Sequence, residues 1–305
     1  MMAGAAAPVA ASISAAALVV VVAGAAAAQE VPWRWWDGAA YQLTHGLEDP
    51  PGLNRDDCRP DPGHPEPVIL VHGTGLNGGN SWAAYGAELA ADGFCVWAPT
   101  IGAPPGLGST GGLDSLTGAS ALQLAAEIDR VRGLTGAGKV DLVGHSQGAI
   151  VASYVAAAVR PEAVRTVVTL GVDPAGFGGG PPEFVTDALG VLSAETSRRD
   201  AEAADAWLGD DGVPFARGSR HVSLVSDYDE LTGVVASPEV SADVDFTLVR
   251  LQDGCEVDRS GHLTVLASPR AVDLVSDALG GAHHWPPRCV AADGVVGVLS
   301  PVPSR

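Results

Sequence analysis

The sequence predicts an α/β protein with a mostly parallel central sheet covered by helices on both faces. From Pro67 onward, short runs of β-branched residues alternate with stretches of helical periodicity, which is the pattern of parallel strands joined by helices. Of the 305 residues, 47% are hydrophobic and 17% are charged, a composition that suits one large folded domain rather than a disordered or fibrous chain. We therefore expect a single domain over residues 67–305.

The charge balance excludes one broad class of partner. The formal net charge is −19, and Lys139 is the only lysine. A surface with so few cations does not follow a phosphate backbone, so we expect no nucleic-acid partner. Beyond solubility, the acidity indicates little about function.

The first 28 residues have the composition of an export signal. They contain no Asp, Glu, Lys or Arg, and an apolar stretch from Ser14 to Val22 precedes a small-residue series that ends at Ala28. We interpret residues 1–28 as a signal peptide, although the usual positive segment is missing, which leaves an uncleaved membrane anchor open. Either interpretation places the protein body outside the cytoplasm, where the four cysteines permit three pairings of two disulfides each.

The first half of the chain predicts the early elements in order. Residues 29–66 are rich in Trp, Pro, Asp and Gly without a sustained period, so we predict an irregular surface leader. The predicted elements that follow are a buried strand at Val68–Val71, a helix at Ser81–Ala91 with Trp82, Tyr85 and Leu89 on one side, a strand at Phe94–Ala98, and a helix opened by a capping box of Ser120 and Gln123 and stopped at Gly133.

The second half continues the alternation around one interruption. Residues 176–218 begin rich in Gly and Pro and then become helical, so we expect an insertion over the sheet. A lid or acyl-pocket wall and ordinary core are open alternatives for it. The other predicted elements are strands at Val140–Val143, Val164–Leu170, Val222–Val225 and Phe246–Leu251, a small-residue helix at Ala149–Val159, and a last helix with Ser268 as N-cap and Pro269 at its first position, running through Leu279 to Gly280.

The run Gly-His-Ser-Gln-Gly at residues 144–148 contains a candidate nucleophile. By itself, G-x-S-x-G is a weak signal in a chain with 39 glycines. Its context is specific, because a predicted strand enters the motif and a predicted helix leaves it, which is the geometry that exposes a nucleophilic serine above a sheet. We therefore predict Ser146 as the nucleophile, against the alternative of a serine in a surface turn.

A serine nucleophile of this kind needs donors for the oxyanion that forms when it attacks. The free N–H groups at the start of the following helix offer one, and the loop His72-Gly73-Thr74-Gly75 after the first strand offers another. The backbone N–H groups of Gln147 and Thr74 are our candidates. A plain Gly-rich turn would explain the same glycines.

A serine alcohol also needs a general base, and order along the chain selects His262. In this arrangement the nucleophile, the acid and the base follow in that order. Of eight histidines, only His262, His283 and His284 follow the last predicted strand, and the last two lie beyond the final helix. We interpret His72 and His145 as residues that pack around the nucleophile turn. The sequence shows no histidine pair with a carboxylate at metal-ligand spacing, so we expect no catalytic metal.

The acid that orients the base is harder to choose. Asp227, Asp229 and Glu230 all follow the strand Val222–Val225. Alternation in an extended chain puts Asp227 and Asp229 on one side and Glu230 on the other, so periodicity does not separate the two aspartates. The acid should lie beyond the end of the strand to meet a histidine on a loop, and Asp229 lies farther along the chain than Asp227. This favours Asp229.

These segments together resemble the secreted class 2 triacylglycerol lipases of bacteria, within the α/β-hydrolase fold. The resemblance covers roughly residues 58–289 and rests on the blocks PVILVHGTG (67–75), GFCVWAP (93–99), KVDLVGHSQG (139–148), YDE (228–230) and GHLTVLASPRAV (261–272). It implies hydrolysis of acylglycerols or related esters. The residue roles that it implies are a triad of Ser146, Asp229 and His262, an oxyanion hole of Thr74 and Gln147, and the disulfides Cys58–Cys95 and Cys255–Cys289. The chain departs from the family at residues 101–106 and in the insertion after Gly171, which puts substrate range in doubt.

We therefore expect a secreted serine carboxylic-ester hydrolase that needs no cofactor. Its expected partners are an ester substrate and, transiently, a lipid interface, and we expect a monomer. Acyl transfer at the same site is the first alternative, because exclusion of water would favour another alcohol as acceptor. A non-catalytic exported binding domain is the second, since fold alone does not imply function.

Overall fold

The computed structural model describes residues 31, 33–45, 48–106, 109–174, 215–232, 240–281 and 285–292. Within these residues, six strands form one sheet in the order β2-β1-β3-β4-β5-β6, and every neighbouring pair is parallel. The strands are β1 (Val68–Val71), β2 (Val96–Trp97), β3 (Val140–His145), β4 (Val164–Leu170), β5 (Arg220–Val225) and β6 (Asp245–Arg250). The predicted parallel sheet is confirmed.

Helices cover both faces of the sheet. The α-helices of the described residues are α1 (Trp35–His45), α2 (Gly78–Ala91), α3 (Ala121–Thr135), α4 (Gln147–Tyr154) and α5 (Pro269–Ala278). Side chains of a strand alternate between faces, so Val68 and Leu70 pack in the core cluster with residues of α2 and α5. Ile69 and Val71 pack in the opposite cluster with residues of α3 and α4. This two-sided burial explains why β1 is apolar at every position.

The predicted irregular leader at residues 29–66 is wrong where α1 forms. Arg34 and Asp37 form an ion pair at the start of this helix. Gly38 is buried against α2, so closely that a Cβ there would lie 3.0 Å from the carbonyl oxygen of Asn80. Trp33 and Trp35 pack against the core. The helix therefore depends on tertiary packing, which a local period does not reveal.

Two predicted signals for α3 are also wrong. Ser120 has helical backbone and makes no capping bond, because a π-helical turn, Leu116–Ser120, precedes α3 and is capped by the side chain of Ser115. Gln123 instead accepts from the N–H of Gly102. The helix passes through Gly133 and ends at Gly136, whose φ of 74° suits a left-handed C-cap.

The boundaries of the other helices lie closer to their predicted positions. The helix α2 begins at Gly78 rather than Ser81, because Asn77 and Asn80 form a capping box. After Tyr154, α4 continues as a π-helical turn, Val155–Val159. Ser268 is the N-cap of α5 as predicted, and its hydroxyl accepts from the N–H of Ala271.

Both disulfides that the resemblance implied are present, Cys58–Cys95 and Cys255–Cys289. The predicted signal peptide at residues 1–28, most of the insertion at 176–218 (residues 176–214), and His283 and His284 lie outside the described residues. Within the part of the chain that the structure describes, no helix is long and apolar enough to cross a membrane.

Candidate active site

Ser146 lies at the sharp turn between β3 and α4. Its φ of 54° is unusual for a residue other than glycine and marks local backbone strain. The turn is possible because Gly148 touches the end of β1, where a Cβ would lie 2.2 Å from the carbonyl oxygen of Val71. The serine is therefore raised at the carboxyl edge of the sheet, as the motif predicts.

His262 bridges this serine and a carboxylate. It lies in the segment 251–263, here called the base loop, which runs from β6 to a 3-10 turn at Thr264–Ala267. Its Nε2 lies 2.8 Å from Ser146 Oγ, and its Nδ1 lies 2.8 Å from Asp229 Oδ2. A carboxylate only accepts, so Nδ1 carries the proton and Nε2 is free to accept the serine proton.

Asp229 lies in the segment 226–232, here called the acid turn, which follows β5. Its second oxygen, Oδ1, accepts the N–H groups of Leu231 and Thr232 at 2.9 and 2.8 Å. Burial tends to raise the pKa of Asp229, but the hydrogen bond and charge of His262 and the two N–H donors outweigh it and lower that pKa. The side chains of His262 and Asp229 are only 4% and 2% exposed, so the pair is shielded from water.

The two competing carboxylates lie elsewhere. Asp227 Oδ1 accepts from Arg250 at 2.9 Å in an exposed ion pair. Glu230 Oε2 accepts the backbone N–H of His262 at 2.9 Å. Only Asp229 bonds to the imidazole ring among the three.

One candidate oxyanion donor is next to Ser146 in the chain, and the other belongs to a loop that borders it. Gln147 is the first residue of α4, where a backbone N–H has no partner within the helix. Thr74 follows Gly73, and a Cβ on Gly73 would lie 3.1 Å from Ser146 Cβ, so this loop borders the nucleophile directly. His72 fixes the loop, because its Nδ1 bonds to the carbonyl oxygen of Gly73 and its Nε2 accepts from Ile101. Burial lowers the pKa of His72 to about 4, so it stays neutral in this role.

Sequence reasoning missed Gly171, which borders the acid and the base. Gly171 follows β4 with a φ of 69°, and a Cβ there would lie 3.2 Å from both Asp229 Oδ2 and His262 Nδ1. Its carbonyl accepts from the hydroxyl of Thr232. A glycine directly after a strand was the available signal, and any side chain would disturb the pair.

Gln252 is a second missed residue, and it joins the acid turn to the base loop. Its Oε1 accepts from the N–H of Asp227, and its Nε2 donates to Ser226 Oγ and to the carbonyl of Asp258. Ser226 Oγ in turn donates to the carbonyl of Ser260. The two segments that hold Asp229 and His262 are therefore bonded to each other as well as to the sheet.

The geometry brings together a serine hydroxyl, an imidazole and a carboxylate, beside the residues that carry the two candidate N–H donors. Such a constellation can transfer an acyl group to and from a serine, with the base carrying the proton. Among the described residues, no group of three or more His, Cys, Asp or Glu side chains could hold a metal ion.

Comparison with known proteins agrees with the fold. Residues 66–189 match the family model of the alpha/beta hydrolase fold. The chain is 35% identical over 130 residues to a triacylglycerol lipase of Pseudarthrobacter phenanthrenivorans, a match that covers 40% of this chain and 37% of that protein. It is also 35% identical over 130 residues to a triacylglycerol lipase of Burkholderia plantarii, covering 40% of this chain and 33% of that protein.

The match therefore spans only about a third of the length of these two relatives. Among solved structures, the mature form of the Bacillus licheniformis lipase BlEst2 is similar with a TM-score of 0.49 and 15% identity, over 73% of this chain and 94% of that chain.

Proposed function

We propose that this chain, which has the α/β-hydrolase fold, is a carboxylic-ester hydrolase that acts through an acyl-enzyme on Ser146. The observation that carries the proposal is the continuous hydrogen-bonded chain from Ser146 Oγ through His262 to Asp229, with both contacts at 2.8 Å. The alternative of a serine in a surface turn does not explain why its hydroxyl contacts a buried imidazole that is itself bonded to a buried carboxylate.

In the first half of the reaction, Ser146 Oγ attacks the ester carbonyl carbon while His262 Nε2 takes its proton. The carbonyl oxygen becomes an oxyanion, and the backbone N–H groups of Gln147 and Thr74 donate to it. Asp229 stabilises the imidazolium and holds it in place without becoming protonated. When the tetrahedral intermediate collapses, the ester C–O bond breaks and His262 returns the proton to the leaving alcohol.

The second half repeats these steps with water. His262 takes a proton from a water molecule, whose oxygen attacks the acyl carbon. Collapse breaks the bond to Ser146, returns the proton to its Oγ and releases a carboxylic acid. No cofactor enters either half.

For the substrate, we propose acylglycerols. The printed names of the two bacterial relatives, both triacylglycerol lipases, support this class. The resemblance of residues 58–289 to secreted class 2 lipases points to the same class, although it rests on sequence similarity of the same kind.

For location, we propose export through the predicted signal peptide at residues 1–28, with transient contact to a lipid interface and action as a monomer. Two disulfides support an oxidising compartment, since structural disulfides persist mainly outside the cytoplasm.

The test of this function is covalent labelling combined with a substrate series. Wild-type protein should react with a fluorophosphonate and hydrolyse p-nitrophenyl esters, whereas Ser146→Ala should do neither while keeping its circular dichroism spectrum. If the variant keeps more than about a thousandth of wild-type turnover, the acyl-enzyme mechanism is wrong. Measuring acyl chains of increasing length below and above micelle formation, and then triacylglycerol emulsions, tests the lipid substrate.

A further inference from the structure

The backbone of His262 is held by side chains from two other elements. Its N–H donates to Glu230 Oε2 at 2.9 Å, and its carbonyl accepts from His145 Nε2 at 2.7 Å. Glu230 belongs to the acid turn, and His145 is the last residue of β3. Both backbone polar groups of the base are therefore bonded outside the base loop.

We propose that His145 and Glu230 are positioning residues that fix the His262 imidazole between Ser146 and Asp229. The proposal rests on the ester-hydrolase function proposed above. In this scheme neither residue is placed against the substrate, and the ring of His145 packs beside the His262 imidazole with its centroid 4.9 Å away. Each acts through the backbone of His262, one from the nucleophile side and one from the acid side.

Among the described residues, no backbone–backbone hydrogen bond holds His262 itself. The residue lies outside the strands and α-helices, in a loop, where chains are generally more mobile than in the sheet. Its ring must nevertheless keep two 2.8 Å hydrogen bonds at once. A misplacement of about 1 Å in such a site can lower the rate about 100-fold.

The chemistry of His145 fits this role better than core packing alone. Its ring is buried, and Nε2 must be the protonated nitrogen because a carbonyl oxygen only accepts. Burial, and then the neighbouring His262, lower the pKa of His145 to about 3, so the ring stays neutral while His262 gains and loses protons. Its Nδ1 has no hydrogen-bond partner among the described residues, which is unfavourable for a buried ring. An apolar side chain would fill the space without that loss.

Glu230 is equally unsuited to a packing role. Its side chain is exposed, and an exposed glutamate is ordinarily a solvated surface residue. Here its carboxylate accepts from a residue 32 positions later in the chain. Because Glu230 follows Asp229 directly, the acid turn holds both the ring and the backbone of the base.

The first experiment compares Glu230→Gln with Glu230→Met. Glutamine keeps an oxygen acceptor for the N–H of His262, whereas methionine keeps the length and removes the acceptor. We expect Glu230→Gln to stay within about threefold of wild-type kcat and Glu230→Met to fall about 20-fold, since a hydrogen bond to a charged group is lost, with KM unchanged within twofold. The rate of fluorophosphonate labelling should fall by the same factor as kcat.

Asp227→Asn is the matched control, because it removes a carboxylate of the same turn that bonds to Arg250 and not to His262. The kcat of Glu230→Met should lie at least about twofold below that of this control. Equal losses in Glu230→Gln and Glu230→Met, or a change in KM alone, would overturn the proposed role of Glu230.

The second experiment compares His145→Gln with His145→Leu. The glutamine amide can still donate to the carbonyl of His262, whereas leucine fills the space without a donor. We expect kcat of His145→Gln to exceed that of His145→Leu by about tenfold, with similar KM. Equal kcat in two folded variants would overturn the role of His145. If His145→Leu does not fold, kcat of His145→Gln is compared with wild type, and a loss of more than about tenfold would overturn the role of His145.

Failure of this proposal differs from failure of the proposed function. Wild-type protein that never reacts with the fluorophosphonate contradicts the ester-hydrolase function itself. A reactive wild type whose four variants all retain wild-type kcat contradicts only the positioning role.

Discussion

Asp227 and Asp229 lie two residues apart on the acid turn and meet different environments. Asp229 is buried and bonded to an imidazole and two N–H groups. Asp227 is exposed and paired with Arg250, and exposed ion pairs of this kind contribute little to stability. The turn rotates the chain between the two residues, because the N–H of Asp229 bonds to the carbonyl of Ser226.

Asp229→Asn should therefore nearly silence the enzyme. An amide in place of the carboxylate leaves the imidazole in the wrong tautomer, which lowers turnover about 10⁴-fold in the serine-protease case. Asp227→Asn should change turnover by less than about tenfold. Steady-state kinetics on variants with matched circular dichroism spectra checks this, and the reverse ranking would move the acid to Asp227.

The sequence predicts the reacting residues better than their supports. Ser146 follows from a motif with a strand before it and a helix after it, and His262 follows from its place after the last strand. Asp229 follows from its reach beyond the strand end together with the family resemblance, because alternation along the chain does not separate it from Asp227. The contacts of Gly171, Gln252 and His145 with other loops depend on tertiary structure, for which a single sequence carries no periodic signal.

At the scale of elements, two disulfides close loops that each contain one residue of the candidate site. Cys58–Cys95 encloses Thr74 and joins residues separated by 37 positions. Cys255–Cys289 encloses His262 and joins residues separated by 34 positions. Because the two loops are nearly equal in length, the chain-entropy model assigns them nearly equal stabilisation, about 3 to 4 kcal/mol each.

Replacing either cysteine pair with alanine should lower the free energy of unfolding by about 3 to 4 kcal/mol, and the two losses should agree within about 0.5 kcal/mol. Denaturant titrations of Cys58→Ala/Cys95→Ala and Cys255→Ala/Cys289→Ala measure this. A loss twice as large in one variant would show that native packing, rather than loop length, governs that bridge.

Peptide mapping of unreduced protein should recover both pairs, and recovery of Cys58 joined to Cys289 would contradict them.

Local sequence signals predicted some helices correctly and others incorrectly. The N-cap of α5 was predictable because Ser268 and Pro269 form a local signature. The helix α1 was not, because Gly38 and the neighbouring tryptophans form it by packing. In α3, Gly133 resembles a stop, yet a helical glycine costs only about 1 kcal/mol, and continuation to Gly136 outweighs that cost.

Across the whole molecule, buried histidines link stability to pH. Burial lowers the pKa of His221 and of His72 to about 4 each, and that of His145 to about 3, from 6.5. Between about pH 6.5 and 4, the unfolded chain binds protons at these residues that the folded chain does not. Stability is therefore fully present above that range and is lost as the pH falls through it.

His221→Gln should weaken this dependence without touching the candidate site. The Nε2 of His221 bonds to the carbonyl of Ala216, and glutamine can keep that donor. When the pH falls from 7 to 5, the free energy of unfolding should decrease by about 2 kcal/mol more in the wild type than in the variant. Urea titrations at both pH values measure this, and equal losses would mean that His221 is protonated as readily in the folded state as in the unfolded one.

The triad also has a consequence for how the protein acquires its activity. Its two hydrogen bonds join residues separated by 116 and 33 positions, supplied by the segments after β3, β5 and β6. Parallel strands pair only after long crossovers close, so contacts of this range form slowly compared with local helices. A chain that has collapsed and formed its helices still lacks the contact between Ser146 and His262. Under the proposed function, nucleophilicity at Ser146 therefore marks the completion of folding rather than its onset.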